Sequence, residues 1–97
     1  MQINFTPQAR SELIEAALFY EAIEPGLGTD FEEEVSSFLQ SITAAPERPR
    51  LRQGGYRRVN LRRFPYYISY AAVQGGLTIL AIGHGARKPE YWIGRKL

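Results

Sequence analysis

The 97-residue chain has no cysteine, so neither a disulfide nor a thiolate metal site can hold it together. It has one histidine, His84, and a mostly basic second half. That leaves no sensible ligand set for zinc or a two-metal centre, and neither a metal nor a cofactor is expected. No apolar run approaches the length of a membrane span. The opening Met1-Gln2-Ile3-Asn4-Phe5 lacks the basic start and long apolar run of a signal peptide. A cytoplasmic protein with no membrane partner is therefore expected. No glycine-rich nucleotide fingerprint occurs either. Gly26-Leu27-Gly28 has neither the spacing nor the preceding strand such motifs need. There is no internal repeat and no low-complexity tract, and the length suits one small domain spanning 1–97.

The formal net charge of +2 conceals a division. Residues 1–47 carry nine acidic groups and one basic group, Arg10, whereas residues 48–97 carry eleven basic groups and one acidic group, Glu90. The halves are thus near −8 and +10. A basic half suits nucleic acid or an acidic protein partner, and mutual neutralisation of the two halves is the plainer alternative.

Ile3 and Phe5 alternate as in a short strand, and Thr6-Pro7 is a helix start, with threonine as cap and proline at the first turn. Leu13, Ala16, Ala17 and Tyr20 recur at helical spacing, with Glu12 and Glu15 off that stripe. Ile14 and Leu18 form a second apolar row that a partner could cover. Glu24 to Gly28 breaks the helical pattern, and a second helix is predicted from near Thr29 or Asp30, with Phe31, Val35, Phe38, Leu39 and Ile42 as its stripe. Glu32, Glu33 and Glu34 fall in its first turns, where the helix dipole favours acids, and they read as a cap and a solvated face. Pro46 ends that helix, and the short break between the two predicts an antiparallel pair.

A loop rich in arginine, proline and glycine spans Glu47 to Gly55. The stretch 56–70 then mixes four arginines with four tyrosines. Val59 and Leu61 share one side of a strand, Pro65 marks a turn, and Tyr66 to Val73 returns as a second strand. Gln74-Gly75-Gly76 is a tight turn into Leu77 to Ile82, whose apolar character on both faces fits a central strand beside the N-terminal one. The order is β-α-α-β-β-β, an α+β pattern.

Two readings of the chemistry stand side by side. In a metal-independent ribonuclease, His84 would serve as base or acid, Arg57, Arg62 or Arg87 would hold phosphate, and Tyr91 would donate a proton. In a binding module, Arg57, Arg58, Arg62 and Arg63 at the hairpin and Arg87, Lys88, Tyr91, Trp92 and Arg95 in the tail would meet a nucleic acid or an acidic peptide. Tyr91 and Trp92 can equally pack the tail down.

In their order and spacing, several pieces resemble the RelE/ParE superfamily of type II toxins, most of all its ParE branch. They are Phe5-Thr6-Pro7-Gln8-Ala9 with Glu12-Leu13, Phe19-Tyr20-Glu21, Gly26-Leu27-Gly28 with Phe31 and Glu34, Arg57-Arg58 with Phe64-Pro65-Tyr66, Ile68 and Tyr70, and His84, Arg87-Lys88-Pro89 and Tyr91-Trp92. The resemblance implies a helical hairpin packed on a small, mainly antiparallel sheet. It implies a cognate antitoxin, for which Ile14 and Leu18 are the candidate contacts. It implies one of two activities: inhibition of DNA gyrase, as in ParE-like members, or cutting of messenger RNA at the ribosome, as in RelE-like members. RelE-like nucleases place basic catalytic residues where this chain has Tyr67 and Gly85, and of that set only the late tyrosine, Tyr91, carries over. The gyrase branch is therefore the expectation.

Overall fold

The computed structural model describes residues 2–97. Strand β1 (Ile3–Phe5) leads into helices α1 (Pro7–Ile23) and α2 (Leu27–Ala44), followed by β2 (Arg57–Asn60), β3 (Tyr66–Val73) and β4 (Gly76–His84). The four strands lie in the order β1-β4-β3-β2, with β1 parallel to β4 and the other pairs antiparallel. The α+β order read from the sequence is the observed one, and the central strand does lie beside the N-terminal one. Among the described residues, no helix is long and apolar enough to cross a membrane.

Thr6 makes the strand-to-helix corner. Its hydroxyl accepts from the Ala9 amide at 3.1 Å, capping α1, while its own amide donates to the Ile79 carbonyl at 3.1 Å. The buried row of α1 is Ala9, Ala16 and Ala17, and these small side chains let the helix lie close to the sheet. Phe31, Val35 and Ile42 of α2 complete the layer over Ile68, Tyr70, Leu77, Ile79 and Ile82. Edge-to-face contacts of Phe64 with Tyr20 (4.8 Å between centroids) and with Phe31 (5.1 Å) seat the β2–β3 turn on both helices.

Helix α2 begins at Leu27, two or three residues before the sequence-based start. Its N-cap, Gly26, has no side chain to offer, and the acceptor comes from α1. The Glu21 carboxylate takes the Gly26 amide at 3.0 Å and the Gly28 amide at 3.0 Å. The earlier start leaves Asp30 as the acid of the first turn and moves Glu32, Glu33 and Glu34 beyond it. Glu32 and Glu33 are exposed, but Glu34 is not idle, because it accepts from the Arg62 and Arg63 amides at 2.6 and 2.9 Å and fixes the β2–β3 turn.

A bulge between Ser69 and Tyr70 shapes the sheet. Ser69 pairs with Ala81 and Tyr70 with Ile79, so Leu80 is the extra residue. Ile79 and Ile82 therefore both face the helices, while Leu80 and Ala81 join a second apolar cluster with Tyr56, Tyr67 and Trp92 on the other face. That explains a strand apolar on both sides.

The helices touch at Gly28. A Cβ there would lie 2.4 Å from the Ala17 carbonyl oxygen, which is backbone and cannot swing aside. Gly28→Ala is expected to destabilise the fold by about 1–3 kcal/mol in thermal unfolding, the usual range for overpacking a tight contact.

Candidate functional site

The pairing of β1 with β4 stops at Phe5 and Ile79, which leaves the far half of that edge of β4 open. The C-terminal residues wrap this edge, and α1 meets them there through Glu12. One Glu12 oxygen accepts from the Ile82 amide at 3.1 Å and from Arg95 at 2.9 Å. The other accepts from the Tyr91 hydroxyl at 2.5 Å and from Arg95 at 3.1 Å, and lies 3.6 Å from Arg87. Arg95 also donates to the Leu80 carbonyl at 3.1 Å. One carboxylate thus joins helix, strand edge and tail.

Sequence reasoning placed Glu12 off the buried stripe. It lies three residues after Ala9 and four before Ala16, within the buried row, and that spacing was the signal available. The Arg87 guanidinium stacks on the Tyr91 ring at 3.7 Å, and His84, Arg87 and Tyr91 do share one cleft of about 250 Å³ with Glu12, Glu15 and Tyr66. Several of their polar atoms already have partners. The Tyr91 hydroxyl donates to Glu12. His84 Nδ1 accepts from the Ala86 amide at 2.9 Å.

The other candidate binding residues divide. Trp92 is not at a binding surface. It is 1% exposed and its indole donates to the Tyr67 hydroxyl at 2.8 Å, because the tail needs a large filler over the second cluster. Arg95, with 16% of its side chain exposed, is the partner of Glu12. Arg57 is a loop clamp, donating to the Pro49 carbonyl at 2.6 Å and the Glu47 carbonyl at 3.3 Å. Arg58 lies 3.9 Å over the Tyr67 ring and donates to Asn60. Arg62, Arg63, Arg87 and Lys88 are exposed, with Arg63 3.4 Å from Asp30. Each of the ion pairs Arg63–Asp30, Arg87–Glu12 and Arg95–Glu12 joins the acidic half of the chain to the basic half, so the two halves neutralise each other in part.

Tyr67 lies across Gly83, where a Cβ would come within 2.5 Å of its ring. Ile14 and Leu18 are 51% and 64% exposed and lie one turn apart, while Phe19 and Ile23, 59% and 61% exposed, form a separate pair on another side of α1.

This geometry can be set beside known proteins. The sequence model described as ParE toxin of type II toxin-antitoxin system, parDE, matches residues 3–89. The chain belongs to the ParE toxin family. No curated protein matches it in sequence. A solved structure described as the chromosomal ParDE TA system from P. aeruginosa superposes with a TM-score of 0.76, covering 87% of this chain and 95% of that one. The two are 18% identical, so what they share is the fold.

In this ParE-family chain, breaking the Glu12 cluster should cost stability in proportion to its burial. Glu12→Ala leaves Arg95 and the Ile82 amide without their acceptor and should cost about 2–4 kcal/mol in chemical unfolding. Lys88→Ala, at an exposed site, should change stability by less than about 0.5 kcal/mol.

The cluster also predicts alkaline sensitivity. The ordinary tyrosine value is 10.0, and Tyr91 is raised above it, first by burial and then by its hydrogen bond to Glu12 and the charge there. Tyr20, Tyr56, Tyr66 and Tyr70 are raised as well, each mainly by burial. The unfolded chain therefore loses these protons first. The contribution is full below pH 10.0 and fades as pH rises from there through the folded-state values. Thermal melts should show stability falling above that pH, and Tyr91→Phe should make the fall shallower.

Proposed function

We propose that this protein is a growth-inhibiting toxin that acts on DNA gyrase and is held inactive by a cognate antitoxin docked on α1. The observation that carries the choice of gyrase over RNA is the Glu12 cluster. Cleavage of RNA needs a proton donor, a proton acceptor and cations aimed at the developing phosphate charge. Here Tyr91 and Arg95 are spent on Glu12, Arg87 is stacked and paired, and the positions of Tyr67 and Gly85 supply no cation. Loss of a single such electrostatic donor typically costs about 3–4 kcal/mol, a rate factor of a hundred to a thousand. Trapping another enzyme asks for a surface and no chemistry from this chain. The exposed Arg62, Arg63, Arg87 and Lys88 belong to that surface.

The exposed pair Ile14 and Leu18 supports the antitoxin assignment. Two large apolar side chains one turn apart on an exposed helix face suit an amphipathic segment laid along α1. Leu18→Glu should weaken antitoxin binding at least tenfold in titration calorimetry while leaving the melting temperature nearly unchanged. Equal affinity would place the antitoxin elsewhere.

A second reading, ribosome-dependent cleavage of messenger RNA, draws on one observation: His84, Arg87 and Tyr91 line one cleft. Expression without antitoxin separates the two. Gyrase-linked DNA breakage with induction of DNA repair is expected, with messenger RNA intact. Early codon-phased cleavage at translating ribosomes without DNA damage would overturn the gyrase reading.

A further inference from the structure

The segment 47–58 concentrates positive charge at one edge of the sheet. It holds five arginines against one acid, Glu47. The tail adds a second acid, Glu90, which accepts from the Tyr56 hydroxyl. Glu32 and Glu33 are remote, more than about 15 Å along α2 from Ala44, where the loop begins. Strand β2 is the last in the sheet, so its outer edge is open. The loop before it is drawn back onto it. Tyr70 donates to the Pro46 carbonyl at 2.8 Å, Arg57 donates to the carbonyls of Pro49 and Glu47, and the Arg52 amide donates to the Tyr56 carbonyl at 2.8 Å. Arg57 thus binds the stretch that carries Arg48 and Arg50. Gathering like charges in this way costs stability, and an anionic partner offsets that cost.

Three of these arginines have donors to spare. Arg48 and Arg50 are exposed, and their side chains make no hydrogen bond or ion pair among the described residues. Arg58 lies 3.9 Å over the Tyr67 ring and uses only Nε, which donates to Asn60 at 3.2 Å. Because the loop is already pinned, little ordering remains to be done when a ligand binds. The surroundings then select the anion. An acidic polypeptide is held by a core of apolar anchors, and this segment exposes a single large apolar side chain, Leu51. Single-stranded nucleic acid is held by stacking, but Tyr56 and Tyr67 are each 3% exposed and offer no ring face. The phosphates of a duplex need only cations. Helix α1 packs on β4, two strands away from β2, so an antitoxin on α1 leaves this edge open.

We propose that Arg48, Arg50 and Arg58 contact the phosphate backbone of duplex DNA held by the toxin's target. This rests on the reading that the target is gyrase, an enzyme that works on DNA, and it adds the DNA itself as a second partner and the edge that meets it.

The test titrates the purified protein with a labelled DNA duplex of random sequence, by fluorescence anisotropy over a series of salt concentrations. The parent is compared with the double variant Arg48→Gln, Arg50→Gln and, separately, with Arg58→Gln. Arg10→Gln removes an exposed charge from α1 as a control, and the emission of Trp92, the only tryptophan, checks folding. At about 50 mM salt the double variant should lose at least tenfold in duplex affinity, with a log–log salt slope shallower by about 2, as the loss of two phosphate contacts requires. Arg58→Gln should lose at least threefold and Arg10→Gln less than twofold. The double variant should keep its antitoxin affinity within twofold and need several-fold more protein to inhibit gyrase supercoiling. A parent that does not bind duplex, or binding unchanged in both folded variants, would overturn the proposal. Tighter binding to single-stranded RNA than to duplex, or a parallel loss of antitoxin affinity, would give the edge to those partners and overturn it too. Undiminished gyrase inhibition by variants that no longer bind duplex would do the same. Should the parent bind duplex through these arginines yet fail to inhibit gyrase, the DNA contact stands and the gyrase reading falls.

Discussion

The join of helix, strand edge and tail depends on one carboxylate. Strand β1 is too short to cover β4, and a half-open strand edge in the middle of a small protein must be satisfied in another way. Glu12 does this from α1. It takes the Ile82 amide and, with the same two oxygens, draws in Tyr91 and Arg95. The tail is then long enough to turn under the sheet, where Trp92 closes a second cluster with Tyr56 and Tyr67. A charged group this sheltered would be costly alone, but here its acceptor capacity is used on four sides.

That arrangement shapes what the protein can do. Residues that look catalytic in a list, above all Tyr91, are the ones Glu12 commits to structure. His84 accepts from the Ala86 amide in the turn that follows β4. On the proposed reading the function falls to surfaces. The arginines follow the same division, with Arg57 and Arg95 tied to the fold and Arg62 and Arg63 left at the turn.

Much of the fold was legible because its signals are local. Thr6-Pro7 caps a helix, Pro65 turns a hairpin, and the bounds of β3 follow from its aromatic and β-branched run. The misses share a cause, which is that each rests on a partner far along the chain. The start of α2 is set by Glu21 in the preceding helix. The role of Glu12 is set by Ile82, Tyr91 and Arg95, about seventy to eighty residues away. Arg57 reads as a rim charge until the carbonyls of Glu47 and Pro49 fold back onto it. The bulge at Leu80 leaves no local mark, since Leu80 and Ala81 are as apolar as their neighbours.

The most direct measurement is residue-resolved hydrogen exchange on the parent protein and on Glu12→Gln. The substitution keeps the shape and removes the charge that gathers the tail. Exchange should speed up together at the Ile82 amide, the Trp92 indole and the amides from Gly85 onward, while Ile68 and Ile79 in the core keep their protection. Protection lost evenly across the sheet, or unchanged in the tail, would contradict the account of Glu12 as the link between helix, strand edge and tail.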